Sequence, residues 1–90
     1  MTAIVKRQGD WLSARVGEEL VMMSAQTGNY VSVSRVGSRI WDLIERPRTL
    51  DELCTRLGAE FDVAPAACRA DVQVFLDEMV SNGAISLETP

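Results

Sequence analysis

The chain reads as an α+β protein, a three-stranded antiparallel sheet followed by three helices. Three observations predict this. Residues 12–33 hold three short runs, parted by the turn sequences Gly17-Glu18 and Gln26-Thr27-Gly28, in which apolar side chains recur at every second position. From Ser34 onward the apolar spacing changes to threes and fours, and Pro47 and Gly58 punctuate it. Ninety residues support one core of modest size and no second lobe, so sheet and helices must share it in a single domain spanning residues 1–90.

The first ten residues mix charge, glycine and small side chains without periodicity and read as a loose lead-in. If Gly17-Glu18 is a two-residue hairpin turn, Ala14 faces Val21 and Leu12 faces Met23. A three-residue turn at Gln26-Thr27-Gly28, with Gly28 left-handed, sets Met23 opposite Val31 and Val21 opposite Val33. Both turns then put Leu12, Ala14, Val16, Val21, Met23, Val31 and Val33 on one apolar face, expected to cover the core. The opposite face carries Trp11, Ser13, Arg15, Leu20, Met22, Tyr30 and Ser32; its Leu20, Met22 and Tyr30 read either as scattered surface or as a second contact patch.

The first helix is expected over residues 35 to about 45, with Ser34 as N-cap and Val36, Ile40, Leu43 and Ile44 at helical spacing before Pro47. Thr49-Leu-Asp-Glu52 is a capping box that opens a second helix, whose stripe of Leu50, Leu53, Cys54 and Leu57 ends near Gly58. Phe61 and Val63 fill the connection. Pro65 suits a first helical position, and the third helix runs to about Ser81 before Asn82-Gly83. Its core stripe is Cys68, Val72, Phe75, Leu76, Met79 and Val80. A narrower stripe of Ala67, Ala70 and Val74 lies beyond Asp71 and Glu78. Small side chains beside acidic ones suit close approach by another backbone, although Ala67 and Ala70 are also good helix formers for a solvated face. Residues 84–87 are apolar enough to pack back as a short extended tail.

Composition narrows the chemistry. With no histidine, His-activated nucleophiles and His-ligated metals are excluded, and no carboxylate cluster or glycine-rich phosphate loop takes their place. No catalytic residue, cofactor or metal site is expected. Cys54 and Cys68, without CxxC spacing, read as reduced core residues. A net charge of −4 with nine scattered basic residues argues against nucleic acid as a partner. No signal-type or spanning apolar run is present, so the expectation is a cytoplasmic protein without a membrane partner. An antiparallel three-strand order leaves strands one and three exposed, and an edge strand beside a helix is a dock for an extended peptide. Pattern alone does not choose between the two edges.

At this point the chain resembles the PqqD-like family, small domains also called RiPP recognition elements. The resemblance is carried by Gly28-Asn-Tyr30-Val-Ser-Val33-Ser34, by Gly37-Ser-Arg-Ile40-Trp41-Asp-Leu43-Ile44, by Arg48-Thr-Leu-Asp-Glu-Leu53, and by Arg69-Ala-Asp71-Val72 leading to Phe75-Leu76. Leu-Asn often stands in that family where this chain has Val33-Ser34, and members dedicated to the quinone-cofactor pathway have a different strand region. Both departures favour a general recognition element. The resemblance implies a winged-helix-like domain that binds the leader peptide of a ribosomally made, later modified precursor. The leader would add as a strand along residues Asn29, Tyr30, Val31, Ser32 and Val33. It would be gripped by Ala67, Ala70, Asp71, Val74, Phe75 and Glu78 of the third helix. The implied partners are the precursor leader peptide and a separate leader peptidase or maturation enzyme, as in lasso-peptide pathways. Two other readings stay open at this stage. One is a winged-helix DNA-binding protein, which Asp71, Asp77 and Glu78 oppose on the reading helix. The other is a small regulatory subunit or homodimer using the Leu20, Met22 and Tyr30 face.

Overall fold

A computed structural model describes residues 3–62 and 64–88; the Val63 expectation lies outside them. The element order is β1 (Ile4–Arg7), β2 (Trp11–Val16), β3 (Glu19–Ser24), β4 (Tyr30–Val33), α1 (Arg35–Leu43), β5 (Arg48–Thr49), α2 (Leu50–Phe61), α3 (Pro65–Ser81) and β6 (Ile85–Glu88). The predicted α+β class holds, with the expected meander β2-β3-β4 and three helices. A second three-stranded sheet, ordered β5-β1-β6, joins them.

That second sheet corrects the loose lead-in. Ile4–Arg7 is its central strand, pairing Ile4 with Thr49 on one side and Val5 with Leu87 on the other. Val5 is fully buried, and Ala84 and Ile85 beside it are buried as well. The apolar tail expected over residues 84–87 is therefore a ladder strand. Apolar burial drives the pairing, while the exposed Lys6–Glu88 ion pair at 3.0 Å adds little.

In the first sheet the β2–β3 register is as predicted, Leu12 with Met23 and Ala14 with Val21. The β3–β4 register is not: Met22 pairs Val31 and Leu20 pairs Val33. The loop is four residues long, not three, because Ser24 N–H donates to the Asn29 carbonyl at 2.9 Å and the Ser24 hydroxyl accepts from Thr27 N–H at 3.2 Å. One residue of slip moves β4 to the other face. The chain leaves Val33 directly into α1, so α1 folds over the face that carries Val33, and Leu20 and Met22 become core. The predicted apolar face is thus split. Val33 is buried and Val31 half-buried against the core, whereas Leu12, Val16 and Tyr30 on the other side are 61%, 64% and 72% exposed. A contact face of Leu20, Met22 and Tyr30 does not exist, since the first two are core and the third points away.

The helices follow their signals. Ser34 caps α1, its hydroxyl accepting from Gly37 N–H at 3.3 Å. The capping box at Thr49 and Glu52 is complete. α2 runs three residues beyond Gly58 and ends at Asp62 in the left-handed region, which places Phe61 in the helix and not in a connection. In α3, Cys68, Val72, Leu76 and Met79 are buried as predicted, Phe75 is half-buried, and Val80 is exposed. Arg7 ties the second sheet to α1, lying over the Trp41 ring at 4.4 Å and donating to the Trp41 carbonyl. No helix among the described residues is long and apolar enough to cross a membrane.

Candidate functional site

β3 is the central strand of its sheet, so its backbone groups divide between two neighbours. Ser24 N–H reaches Asn29 on the β4 side, and Ala25 N–H reaches Asp10 on the β2 side, at 2.8 Å. Backbone groups alternate along an antiparallel ladder, so even-numbered β3 residues serve β4 and odd-numbered ones serve β2. With the observed register, Val31 and Val33 spend their N–H and C=O groups on β3. Tyr30 and Ser32 direct theirs outward. Among the described residues no strand pairs with that outer side of β4. By the same alternation the outward residues of β2 are Trp11, Ser13 and Arg15, and among the described residues no strand pairs with that edge either; the Arg15 side chain there is held by Asp42 of α1.

Beside β4 stands α3, and the two meet across the first turn of α1. Gly37 is buried there, and a β-carbon on it would lie 2.6 Å from Val33 Cγ1 and 2.8 Å from Phe75 Cε1. Val33 and Phe75 therefore converge on one point, the floor between strand edge and helix. About one turn back along α3 lies a small apolar hollow lined by Val36 of α1, Leu57 and Phe61 of α2, and Cys68, Asp71 and Val72 of α3. Asp71 is the only ionisable carboxyl on it, exposed at the rim and without an ion-pair partner among the described residues. Its neighbour Arg69 instead pairs Asp51 at 2.5 Å, and that hydrogen bond raises the Arg69 pKa.

Of the expected site residues, the structure thus brings Val33 and Phe75 together at Gly37, with Val31 on the same face of β4, Asp71 one turn from Phe75 on α3, and the outward backbone of Tyr30 and Ser32 along the strand edge. Asn29 closes the loop beneath them through its carbonyl. On the helical wheel, Phe75, Asp71 and Glu78 lie on the flank of α3 next to this groove, and Ala67 follows further round. Ala70 and Val74 are both exposed and project nearly opposite the buried stripe, so they stand apart from the floor. Sequence reasoning missed Gly37, Val36, Leu57, Phe61 and Cys68 as groove residues. The signal for Gly37 was available, since a glycine inside the first turn of a helix needs a steric reason. Cys68 Sγ donates to the Cys54 carbonyl at 3.8 Å, and burial pushes the Cys54 thiol pKa up, away from the reactive thiolate.

A strand edge open beside a helical wall, on a sheet-and-helix domain of this order, defines a peptide-recognition class of fold. The chain belongs to the PqqD family, whose model, described as coenzyme PQQ synthesis protein D, matches residues 19–85. Among solved structures, TbiB1 in complex with the TbiA(beta) leader peptide is similar, with a TM-score of 0.78 and 30% sequence identity over 90% of this chain and 94% of that one. No curated protein sequence gives a significant match.

Proposed function

We propose that this chain binds the leader peptide of a ribosomally synthesised precursor as an added strand on β4, and presents it to a separate modifying or leader-cleaving enzyme. The observation that supports this best is the outward backbone of Tyr30 and Ser32 beside the Phe75 and Asp71 flank of α3, in a fold that TbiB1 shares. Main-chain hydrogen bonds supply affinity without sequence demands, and alternate leader side chains turn toward the groove floor. Asp71 at the rim suits a leader Lys, Arg or N–H group. Ala67 and Glu78 form the outer part of the helical wall, where a longer leader continues along α3, with Ala70 and Val74 beyond them on the outer face of the helix. DNA binding is disfavoured, because the exposed carboxylates of α3 repel phosphate and Arg69 is already paired.

The test exploits the alternation. Ser32→Pro removes an outward N–H that no β3 residue uses, so the protein should stay folded by circular dichroism while leader binding is lost. Ser13→Pro on β2 is the mirror control. If Ser32→Pro binds normally and Ser13→Pro does not, the dock is on β2 and this reading fails.

A further inference from the structure

Resting on the leader-binding reading, we propose that Gly37 is the positioning residue of the groove: its missing side chain sets the distance between the open β4 edge and α3. Glycine weakens a helix relative to alanine, yet it stands inside α1, buried, with its N–H already held by the Ser34 cap. Its φ is not left-handed, so backbone conformation gives no reason for it. Space does. Three side-chain atoms, Val33 Cγ1 at 2.6 Å and Phe75 Cε1 and Cδ1 at 2.8 and 3.0 Å, occupy the place of its β-carbon. Val33 ends the strand that offers the dock, and Phe75 belongs to the helix that walls the groove. Both reach the same point over α1 only because no side chain projects from Gly37. Val33 is buried and held in the β3 ladder, whereas Phe75 is half-buried, so its ring is the freer of the two to move. A methyl group at position 37 would therefore move the phenyl ring outward, into the space that leader side chains need.

Two measurements test this on the full chain. In the wild type, Val33 methyl protons and the Phe75 ring should show a nuclear Overhauser effect, which Gly37→Ala should weaken or abolish while the rest of the spectrum stays native. Labelled TbiA(beta) leader peptide is the binding probe. Gly37→Ala should bind it about tenfold or more weakly, whereas in a Phe75→Leu background, where the crowded ring edge is gone, the same change should weaken binding by less than about threefold relative to Phe75→Leu alone. Retention of the Val33–Phe75 effect in Gly37→Ala overturns the proposal, and this comparison decides alone if the wild type does not take up the probe. Normal probe binding by Gly37→Ala, when Ser32→Pro abolishes it, also overturns the proposal and leaves the leader reading intact. Normal binding by Ser32→Pro removes the leader reading itself. Should Gly37→Ala not fold, the double variant carries the test; if that also fails to fold, Gly37 is structural only and the proposal falls.

Discussion

The two sheets are built from the same number of strands and spend their edges differently. β2-β3-β4 is a meander whose strands follow one another through short loops, and its edge at β4 keeps outward backbone groups at Tyr30 and Ser32. β5-β1-β6 is assembled from the beginning, middle and end of the chain, with β1 paired on both sides. One, the closing sheet, ties distant parts of the chain together through a buried central strand, and the other sets an edge beside α3. The lesson is that stability and docking are separable here. Changes in β1 should act on folding, changes at the outer side of β4 on binding, and the core face of the meander lies between.

The strongest way to break this comparison is at Val5, which has no exposed surface at the centre of the closing sheet. Val5→Asp buries a charge without a partner and should cost roughly 4 kcal/mol or more, enough to remove a cooperative thermal transition from a small domain. Ser32→Pro should leave that transition within a few degrees of wild type. A folded Val5→Asp variant, or an unfolded Ser32→Pro, would show that the two sheets do not divide the work this way.

Within the meander, the two faces provide the next test. Met22 is fully buried, so Met22→Ala should cost about 2–5 kcal/mol in urea unfolding. Leu12, on the outer face, should lose less than about 1 kcal/mol on the same truncation. Equal costs would mean that the outer face is covered in solution and that the sheet buries both sides.

These two experiments fall where the sequence misleads. The β2–β3 register, the capping box and both ends of α3 are legible because each rests on neighbours in sequence: a two-residue turn, an N-cap hydroxyl with its Glu three residues on, a proline and a glycine. β1 and β6 are not, since a four-residue strand has almost no periodicity and its ladder joins residues as distant as Lys6 and Glu88. The β3–β4 slip has a subtler cause. A left-handed Gly28 fits loops of three and of four residues equally well, and the hydrogen bonds that Ser24 makes with Asn29 and Thr27 separate them. Of the site, the strand was legible as an edge. The helical wall was half legible, because Phe75 and Asp71 belong to the groove flank while the small residues Ala70 and Val74, attractive as a stripe, face away.

Proline placement sharpens the boundary between the two roles inside a single strand. Val31 spends its N–H on β3, so Val31→Pro breaks the sheet and should cost about 1–3 kcal/mol in stability. Tyr30→Pro should instead leave the unfolding midpoint nearly unchanged and weaken leader binding. If the two variants destabilise equally, the alternation assigned from Ser24 and Ala25 is out of phase by one residue.

The smallest expected effect is at the seam where the closing sheet meets α2. Thr49 pairs with Ile4 in β5 and also caps α2, its hydroxyl accepting from Glu52 N–H at 3.1 Å. The Glu52 carboxylate accepts in return from Thr49 N–H at 3.2 Å, and the backbone and hydroxyl hydrogen bonds from Thr49 hold the Glu52 pKa below its ordinary value. A carboxyl whose folded pKa is depressed contributes stability above its unfolded pKa and loses it as pH falls through the folded one. Thr49→Ala should therefore cost about 1 kcal/mol near neutral pH. The gap to wild type should narrow once the pH drops below the usual carboxylate range, because the Thr49 hydroxyl then loses its carboxylate acceptor at 3.1 Å, while the bond from the N–H of position 49 is common to both proteins. Leader affinity in the folded fraction should not change, since Thr49 belongs to the closing sheet. Urea unfolding of both proteins near neutral and near pH ~3 decides the matter. A gap that is independent of pH would mean that the Thr49 hydroxyl acts alone, while reduced affinity in the fully folded variant would tie the closing sheet to the dock.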